Sequence, residues 1–405
     1  VHAAWHWGHG EAPTGHSTSA RRVLRRAGQT GQGGICRRTT TEAAVVHEKD
    51  SRFSIEAVEL DALRPDEVLV RMVATGLCHT DLSVRSGVIP FPLPGIVGHE
   101  GAGIVESVGE GVTGLKAGDH VLASFTSCGR CRNCVSGHPA YCLAFLPLNL
   151  LGGKRADGSA TVSQDGADLN AHFFGQSSLS RMAVMDERSL VKIGPGAPLE
   201  MLAPLGGGIQ TGAGAVLNIL KPKPGSTVAV FGTGAVGLAA VMAARLTGAT
   251  EIIAVDVVAS RLELARELGA TLAVDAGAGD PVGAIMEATH GIGVTHSVEC
   301  SGSTTVLAGA IKVLAPLGSC ALIGAPQAGA TVPVDVNFML NGRRLVGVTE
   351  GDSHPATFIP ALVQLWEQGR FPIDRMVRHY RFEDIEAAAT DAKSGAVIKP
   401  VLRFE

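Results

Sequence analysis

The chain has 405 residues, of which 45% are hydrophobic and 18% are charged, a composition that can bury a large core and favours two domains. Its formal net charge of -4, with no basic stripe beyond residue 40, argues against a nucleic-acid partner, because nucleic-acid-binding domains usually present a basic face. No uninterrupted apolar run approaches the ~20 residues that a spanning helix needs, so we predict no transmembrane segment.

The first 40 residues differ from the rest of the chain. They are rich in His, Arg, Gly and Thr, contain one acidic residue, Glu11, and show no periodic pattern. An Arg-rich, acid-poor leader is typical of an organelle transit peptide. The abrupt start of the ordered pattern near Thr41 instead favours a disordered extension over 1–40, to which we assign no function.

Short apolar strands punctuated by Gly and Pro begin at Ala43 and predict a small antiparallel β barrel. Two Gly-flanked polar clusters follow, G-L-C-H-T-D at 76–81 and G-H-E-G-A-G at 98–103. Cys78 and His99 offer a thiolate and an imidazole, the mixed set that leaves a catalytic zinc open to substrate. A single Cys or His is more often a core residue, but polar clusters at strand ends are where sites collect.

A compact cysteine cluster comes next, in C-G-R-C-R-N-C-V-S-G-H-P-A-Y-C. Its members are Cys128, Cys131, Cys134 and Cys142. Four thiolates at this spacing suit zinc in a closed tetrahedral site that holds a loop together and performs no chemistry. The alternative is disulfides or idle thiols. The four remaining cysteines are scattered along the chain, which suits a reducing compartment and predicts a cytoplasmic protein.

Near Gly225 the pattern changes to alternating strands and helices, which implies a doubly wound parallel sheet. G-T-G-A-V-G follows the apolar strand T-V-A-V-F and opens a helix. Glycines there let the backbone approach a pyrophosphate, and the helix N-terminus supplies unpaired N–H groups. The predicted dinucleotide-binding residues are Gly232, Thr233, Gly234, Ala235, Val236 and Gly237.

Asp256 ends the next predicted strand. A carboxylate at that point accepts both hydroxyls of an adenosine ribose and repels a 2′-phosphate, which favours NAD over NADP. The alternative role for Asp256 is a helix N-cap. Arg261, five residues further on, either flanks the adenosine or tolerates the phosphate of NADP.

The last part of the chain predicts a helix, a strand, a second helix and the final strand I-K-P-V-L-R-F, which we expect to return to the first domain. The predicted organisation is a leader at 1–40, a catalytic domain at 41–208, a nucleotide-binding domain at 209–349 and a returning segment at 350–405. The apolar run 331–337 is the candidate sheet edge for pairing of subunits, or else an internal strand.

Taken in order, the two polar clusters, the four-cysteine lobe and G-T-G-A-V-G resemble the zinc-dependent medium-chain alcohol dehydrogenases over nearly all of residues 43–405. The runs H-F-F-G-Q-S-S-L, G-I-Q-T-G-A-G-A-V-L-N and V-I-K-P-V-L-R-F look similar to the bacterial aryl-alcohol (benzyl alcohol) branch. The resemblance implies an α/β protein, with a GroES-like β-barrel domain that carries both zinc sites and an inserted Rossmann domain. It also implies a homo-dimer or homo-tetramer.

The resemblance implies further roles, position by position. Cys78 and His99 bind the catalytic zinc, Glu100 stands behind it, and Thr80 relays the substrate proton towards the cofactor ribose. The implied cofactor contacts are His79 near the pyrophosphate, Lys399 at the phosphates, and Ile323, Gly324 and Ala325 around the nicotinamide. Many relatives end the proton relay in a His five residues after the first ligand, where this chain has Ser83, so we expect the relay to end differently.

One position departs from the family. The third catalytic ligand is a Cys in a stretch resembling P-L-G-C-G, whereas this chain has Gly207 in P-L-G-G-G. Three outcomes follow: Glu100 or Asp81 becomes the third ligand, zinc binds weakly with extra water, or the site stays empty. A sequencing error or a deliberate substitution is a further explanation.

Three functions remain open at this point. The first is a zinc-dependent NAD alcohol dehydrogenase that acts on aromatic or other bulky primary alcohols, with Phe145, Leu146, Phe173 and Phe174 as candidate pocket residues. Core packing is the alternative fate of those side chains. The second is a zinc-free reductase of the same superfamily, and the third is an impaired NAD-binding protein. We expect the first, with a small alcohol or aldehyde as its partner.

Overall fold

The computed structural model describes residues 39–405. The predicted leader at 1–40 therefore lies outside the described residues except for Thr39 and Thr40, which already belong to the first strand. The N-terminal strands are β1 (Thr39–Val46), β2 (Ser54–Leu60), β3 (Glu67–Gly76), β4 (Gly95–Ile96), β5 (Gly101–Val108), β6 (His120–Ala123), β7 (Val162–Gln164), β8 (Ala167–Leu169), β9 (Met182–Asp186) and β10 (Leu190–Ile193). The helices of this part are α1 (His79–Arg85), α2 (Arg132–Val135), α3 (Leu199–Leu202) and α4 (Gly208–Gly214).

Strands and helices alternate in the second half of the chain. The strands are β11 (Thr227–Phe231), β12 (Glu251–Asp256), β13 (Leu272–Asp275), β14 (Val294–Glu299), β15 (Leu314–Leu322) and β16 (Arg344–Gly347), followed by β17 (Val377–Arg381) and β18 (Lys399–Arg403). The helices are α5 (Ala235–Leu246), α6 (Ala259–Leu268), α7 (Pro281–Ala288), α8 (Thr304–Lys312), α9 (Val336–Met339), α10 (Pro355–Glu367) and α11 (Ile385–Ser394).

Two sheets form the N-terminal part. One has the strand order β4-β1-β2-β7-β8, and the other has the order β10-β6-β5-β3-β18-β17 with β9 also paired to β3. The alternation of apolar and polar residues along β3 buries one face of this strand against the interior, as expected for antiparallel sheets. β18 pairs with β3 in the antiparallel direction, so the end of the chain lies in the same sheet as its first domain.

The third sheet is parallel, with the order β13-β12-β11-β14-β15-β16. Its central strand β11 is a continuous apolar run that is buried on both faces, because helices cover both sides of a doubly wound sheet. The carboxyl ends of β11, β12 and β15 meet at one edge, where ligands bind in such folds. We retain the domain boundaries 41–208, 209–349 and 350–405 as a proposal.

The predicted strand at 331–337 is wrong. Asp335 instead caps the short helix α9, because its carboxylate accepts hydrogen bonds from the backbone N–H groups of Asn337 and Phe338. Pro333 has no N–H to give to a sheet ladder. The edge of the parallel sheet is β16. Among the described residues, no helix has the length and apolar character needed to cross a membrane.

Candidate active site and metal centres

The four-cysteine lobe brings its sulfur atoms together. The Sγ atoms of Cys128, Cys131, Cys134 and Cys142 all lie within 4.8 Å of one another. The N–H of Cys128 donates to Cys142 Sγ at 3.3 Å, and the N–H of Cys131 donates to Cys128 Sγ at 3.3 Å. Backbone N–H groups lower the pKa of the Cys131 thiol to about 6. This donor set fits a closed, structural zinc site.

The lobe also contacts the chain just after β16. His138 Nδ1 lies 2.8 Å from Asp352 Oδ1, and the hydroxyl of Tyr141 donates to the carbonyl of Gly347 at 3.3 Å. The lobe is therefore attached to the segment 347–352, which leads from the parallel sheet towards the second metal cluster.

The second cluster consists of Cys78, His99 and Glu100, whose ligand atoms lie within 4.8 Å of one another. The sheet register explains why they meet. β3 and β5 are antiparallel and pair Thr75 with Gly101, so residues just after β3 lie beside residues just before β5. The hydroxyl of Thr80 lies 3.6 Å from Cys78 Sγ.

Asp81 holds the cluster in place. Its buried carboxylate accepts hydrogen bonds from the N–H of Cys78 at 2.9 Å and the N–H of Gly98 at 3.0 Å, and it lies 3.0 Å from His99 Nδ1. Burial lowers the pKa of His99, but Asp81 raises it well above its ordinary value. A carboxylate on Nδ1 fixes the ring orientation and leaves Nε2 for a metal.

Glu100 occupies the space where a side chain at position 207 would lie. A Cβ atom built on Gly207 would be 2.7 Å from both Cγ and Oε1 of Glu100, and one on Gly76 would be 2.0 Å from Oε2. The carboxylate is fully buried and accepts a hydrogen bond from the N–H of Gly208 at 3.0 Å. The side chain of Glu100 therefore occupies space that is free only because Gly76 and Gly207 have no side chains.

Lys399 neutralises this carboxylate. Its Nζ lies 2.9 Å from both oxygens of Glu100. Burial lowers the pKa of Lys399, but Glu100 raises it above its ordinary value. Burial also raises the pKa of Cys78, yet Lys399 and His99 bring it below the usual range and favour the thiolate that a metal needs. The predicted contact of Lys399 with cofactor phosphates remains a prediction.

Aromatic rings line the imidazole of His99. The ring centroid of Phe174 lies 4.9 Å from that of His99, and the centroid of Phe173 lies at 5.7 Å. Both phenylalanines are buried, Phe145 packs on Phe174, and Leu146 is 53% exposed. Of the predicted pocket residues, the three phenylalanines thus form one group beside the cluster.

The glycine-rich turn lies between β11 and α5. Gly232 has a φ of 86°, and a Cβ atom on Gly237 would lie 1.8 Å from the carbonyl oxygen of Gly232, so both positions require glycine. The carboxylate of Asp256 at the end of β12 accepts from the N–H and hydroxyl of Thr233 at 2.6 and 2.9 Å. It also accepts a hydrogen bond from the N–H of Val258. The N-cap residue of α6 is Val258, so the alternative role of Asp256 as a helix N-cap is wrong.

His79, the first residue of α1, is affected by two basic residues. Burial, Lys399 and Arg261 all lower the pKa of its ring. Val236 of the turn lies 3.3 Å from a Cβ built on Gly208, so α4 connects the turn to the metal cluster. Ile323, Gly324 and Ala325 follow β15, and the N–H groups of the first two bind the carbonyl of Glu299.

One group near this site was not predicted from the sequence. Glu350 Oε2 lies 3.4 Å from the hydroxyl of Thr211, which donates to the carbonyl of Gly207. Burial raises the pKa of Glu350 to about 7, with an opposing effect of His99 and a further increase from Glu100. The run T-E-G-D-S resembles any polar turn, so only its position in the fold identifies it.

Comparison with known proteins agrees with this geometry. The model of the alcohol dehydrogenase GroES-like domain matches residues 64–195, and that of the zinc-binding dehydrogenases matches residues 235–367. The geraniol dehydrogenase of Castellaniella defragrans is 45% identical over 367 residues, which are 90% of this chain and 98% of that protein.

Two solved structures are similar over the same region. The benzyl alcohol dehydrogenase of Acinetobacter calcoaceticus is 45% identical with a TM-score of 0.87, and the match covers 91% of this chain and 100% of that one. An alcohol dehydrogenase zinc-binding domain protein of Burkholderia ambifaria is 51% identical with a TM-score of 0.88, covering 91% and 99%. The predicted GroES-like barrel and Rossmann sheet are confirmed, and the chain belongs to the zinc-dependent medium-chain alcohol dehydrogenases, oxidoreductases that use zinc and a nicotinamide cofactor.

Proposed function

We propose that this alcohol dehydrogenase uses NAD to oxidise aromatic or other bulky primary alcohols to aldehydes, and that Cys78, His99 and Glu100 hold its catalytic zinc. The observation that carries the metal proposal is the position of Glu100. Its carboxylate lies within ligand distance of the other two donors, in the space that a Cys at position 207 would need.

The donor set fits zinc despite the missing thiolate. Zinc in proteins accepts Cys, His and carboxylate ligands, and a catalytic site uses three of them. A carboxylate has about four lone-pair sites, of which Lys399 and the N–H of Gly208 occupy three. One site on Glu100 is thus left for a metal.

When bound, zinc supplies a Lewis acid that polarises the alcohol oxygen. The surrounding residues have separate tasks. Asp81 orients the His99 ring, and Thr80, whose hydroxyl lies beside Cys78 Sγ, relays the substrate proton by accepting it while donating its own hydroxyl proton onward. Ser83 stands where relatives end the relay in a His, so we propose that water accepts the proton beyond Thr80.

The preference for NAD rests on Asp256. Its carboxylate is buried beside the glycine-rich turn, and a negative charge there opposes the 2′-phosphate of NADP. Arg261 and Lys399 supply positive charge for the pyrophosphate and adenosine, and His79, whose pKa is lowered by burial and by these two cations, offers a neutral ring nitrogen near the pyrophosphate. The names of the relatives, for geraniol and for benzyl alcohol, and the aromatic group beside His99 support a bulky, apolar substrate.

We also propose that two or four chains associate through the edge of the parallel sheet. Large apolar side chains are exposed near β16, and an uncovered edge is a template for pairing. They are Leu317, Val336, Leu340 and Leu345. Light scattering measures the number of chains, and a monomer would contradict this proposal.

Zinc per chain, measured after removal of loosely bound metal, tests the metal proposal together with oxidation of benzyl alcohol and geraniol by NAD. We expect about two zinc ions and turnover that falls when His99 is replaced by Ala. One zinc ion with turnover restored by added zinc indicates weak binding. One zinc ion without turnover on either alcohol favours a zinc-free reductase or an impaired NAD-binding protein.

A further inference from the structure

Three consecutive residues after β16 have a left-handed backbone. The φ angles are 49° at Glu350, 68° at Gly351 and 47° at Asp352. Glycine adopts this conformation readily, but residues with a side chain pay a steric cost for it. Strained residues of this kind persist only where surrounding structure fixes them, and they cluster at functional sites.

Several contacts fix the turn formed by Glu350, Gly351 and Asp352, which we call the acidic turn. Its central residue packs directly on α4, because a Cβ atom on Gly214 would lie 2.2 Å from the carbonyl oxygen of Gly351. The side-chain amide of Asn218 donates to the same carbonyl at 3.0 Å. His138 of the cysteine lobe holds Asp352 from the other side.

The consequence of this turn is the direction of the Glu350 side chain. Its carboxyl reaches the first turn of α4, where Oε2 lies 3.4 Å from Thr211 Oγ1. Thr211 in turn bonds the carbonyl of Gly207, the position without a ligand side chain. A single hydroxyl group, that of Thr211, thus connects the Glu350 carboxyl to the backbone of Gly207.

We propose that Glu350 is an additional acidic residue of the catalytic metal site and increases its affinity for zinc. This inference rests on the proposed function. A Gly at position 207 removes one negative charge from the family's set of two thiolates and an imidazole, and Lys399 already neutralises Glu100. The carboxylate of Glu350 supplies the missing charge for a divalent cation through a water molecule, because it lies outside the group of ligand atoms within 4.8 Å of one another.

Zinc titration in competition with a chelator tests this inference, with the lobe zinc as an internal count. We expect Glu350→Gln to lower the affinity of the second zinc ion about ten- to a hundredfold, as for other residues that support a metal site. Asp352→Asn is the matched control, because it removes a charge from the same turn but faces the lobe. We expect Asp352→Asn to leave the affinity for the second zinc ion unchanged.

Glu350→Gly separates function from folding. It removes the left-handed strain, so we expect a higher midpoint of thermal unfolding together with weaker zinc binding. Unchanged affinity in Glu350→Gln, or an equal loss in Asp352→Asn, overturns the inference but leaves the proposed function intact. A wild-type chain that binds only the lobe zinc overturns both the proposed catalytic zinc site and the role of Glu350. Whether that chain oxidises alcohols is a separate measurement, made with the NAD assay.

Discussion

Replacement of Gly207 tests whether Glu100 fills the space of the absent ligand. A Cβ atom at this position would lie 2.7 Å from Cγ and Oε1 of Glu100, whereas favourable contacts between non-bonded carbon atoms begin at about 3.5 Å. In Gly207→Ala the carboxylate must retreat by about 0.8 Å. That movement stretches its 2.9 Å contacts with Lys399 and its hydrogen bond from Gly208.

A hydrogen bond to a charged group contributes about 1.5–3 kcal/mol. We therefore expect Gly207→Ala to lower the free energy of unfolding by about 2–3 kcal/mol, measured by urea denaturation after loosely bound metal has been removed. The matched control is Gly208→Ala. A Cβ there lies 3.3 Å from Val236 Cγ2 and 3.7 Å from Glu100 Oε1, and Ala favours the helix by up to about 1 kcal/mol, so we expect little net change.

Gly207→Cys displaces Glu100 in the same way but adds a thiolate beside Cys78 and His99. We expect the metal-free protein to lose stability as in Gly207→Ala, while the second zinc ion survives chelation that strips the wild type. Two results would refute the reasoning. One is a Gly207→Ala variant as stable as the wild type, and the other is a Gly207→Cys variant that holds its second zinc ion no more tightly.

Three further predictions concern the other parts of the site. Cys134→Ser is expected to release the lobe zinc, so that elemental analysis finds one ion fewer per chain and thermal unfolding begins at a lower temperature. Asp256→Asn is expected to raise the ratio of kcat/KM for NADP to that for NAD at least about tenfold, equivalent to about 1.4 kcal/mol; an unchanged ratio would contradict the assigned role. Burial raises the pKa of Glu350 to about 7, with His99 and Glu100 facing it. Because this pKa is higher in the folded chain than the ordinary value of 4.5, the neutral carboxyl contributes its full stability below pH 4.5. That contribution is lost as the pH rises through 7 and the buried carboxyl ionises. Metal-free Glu350→Gln is expected to gain up to about 3 kcal/mol over the wild type between pH 5 and 8, a difference that urea denaturation at each pH measures.

The sequence predicted the parts of the site that local patterns encode. The spacing of the four cysteines from Cys128 to Cys142 is a local signal that indicates a metal-binding lobe without any knowledge of the rest of the fold. The glycines after β11 are a second local signal, because a tight turn of six residues requires them. The strand at 331–337 was predicted wrongly because apolar alternation outweighed the capping signal of Asp335. A short Asp-capped helix and a strand edge share most of their residues, and tertiary contacts decide between them.

The contacts that complete the site join residues far apart in the chain. Glu100 meets Lys399 across 299 positions, and no spacing rule connects them. The left-handed φ of Glu350 is equally invisible in the sequence, because Glu, unlike Gly or Asn, gives no signal for that conformation. The tertiary contacts of the acidic turn, above all the packing of Gly351 on α4, direct the carboxyl towards Thr211.

The geometry around Gly207 favours a rebuilt metal site over a decayed one. If the thiolate had simply been lost, the space beside Gly207 would hold no organised polar group. Instead the Glu100 carboxylate fills it and leaves no room for even a Cβ atom at this position, and the buried Lys399 ammonium pairs with that carboxylate at 2.9 Å. Breaking a buried ion pair costs about 3–5 kcal/mol. Gly207 and the inward carboxylate of Glu100 therefore depend on each other, and each is explained best by the presence of the other.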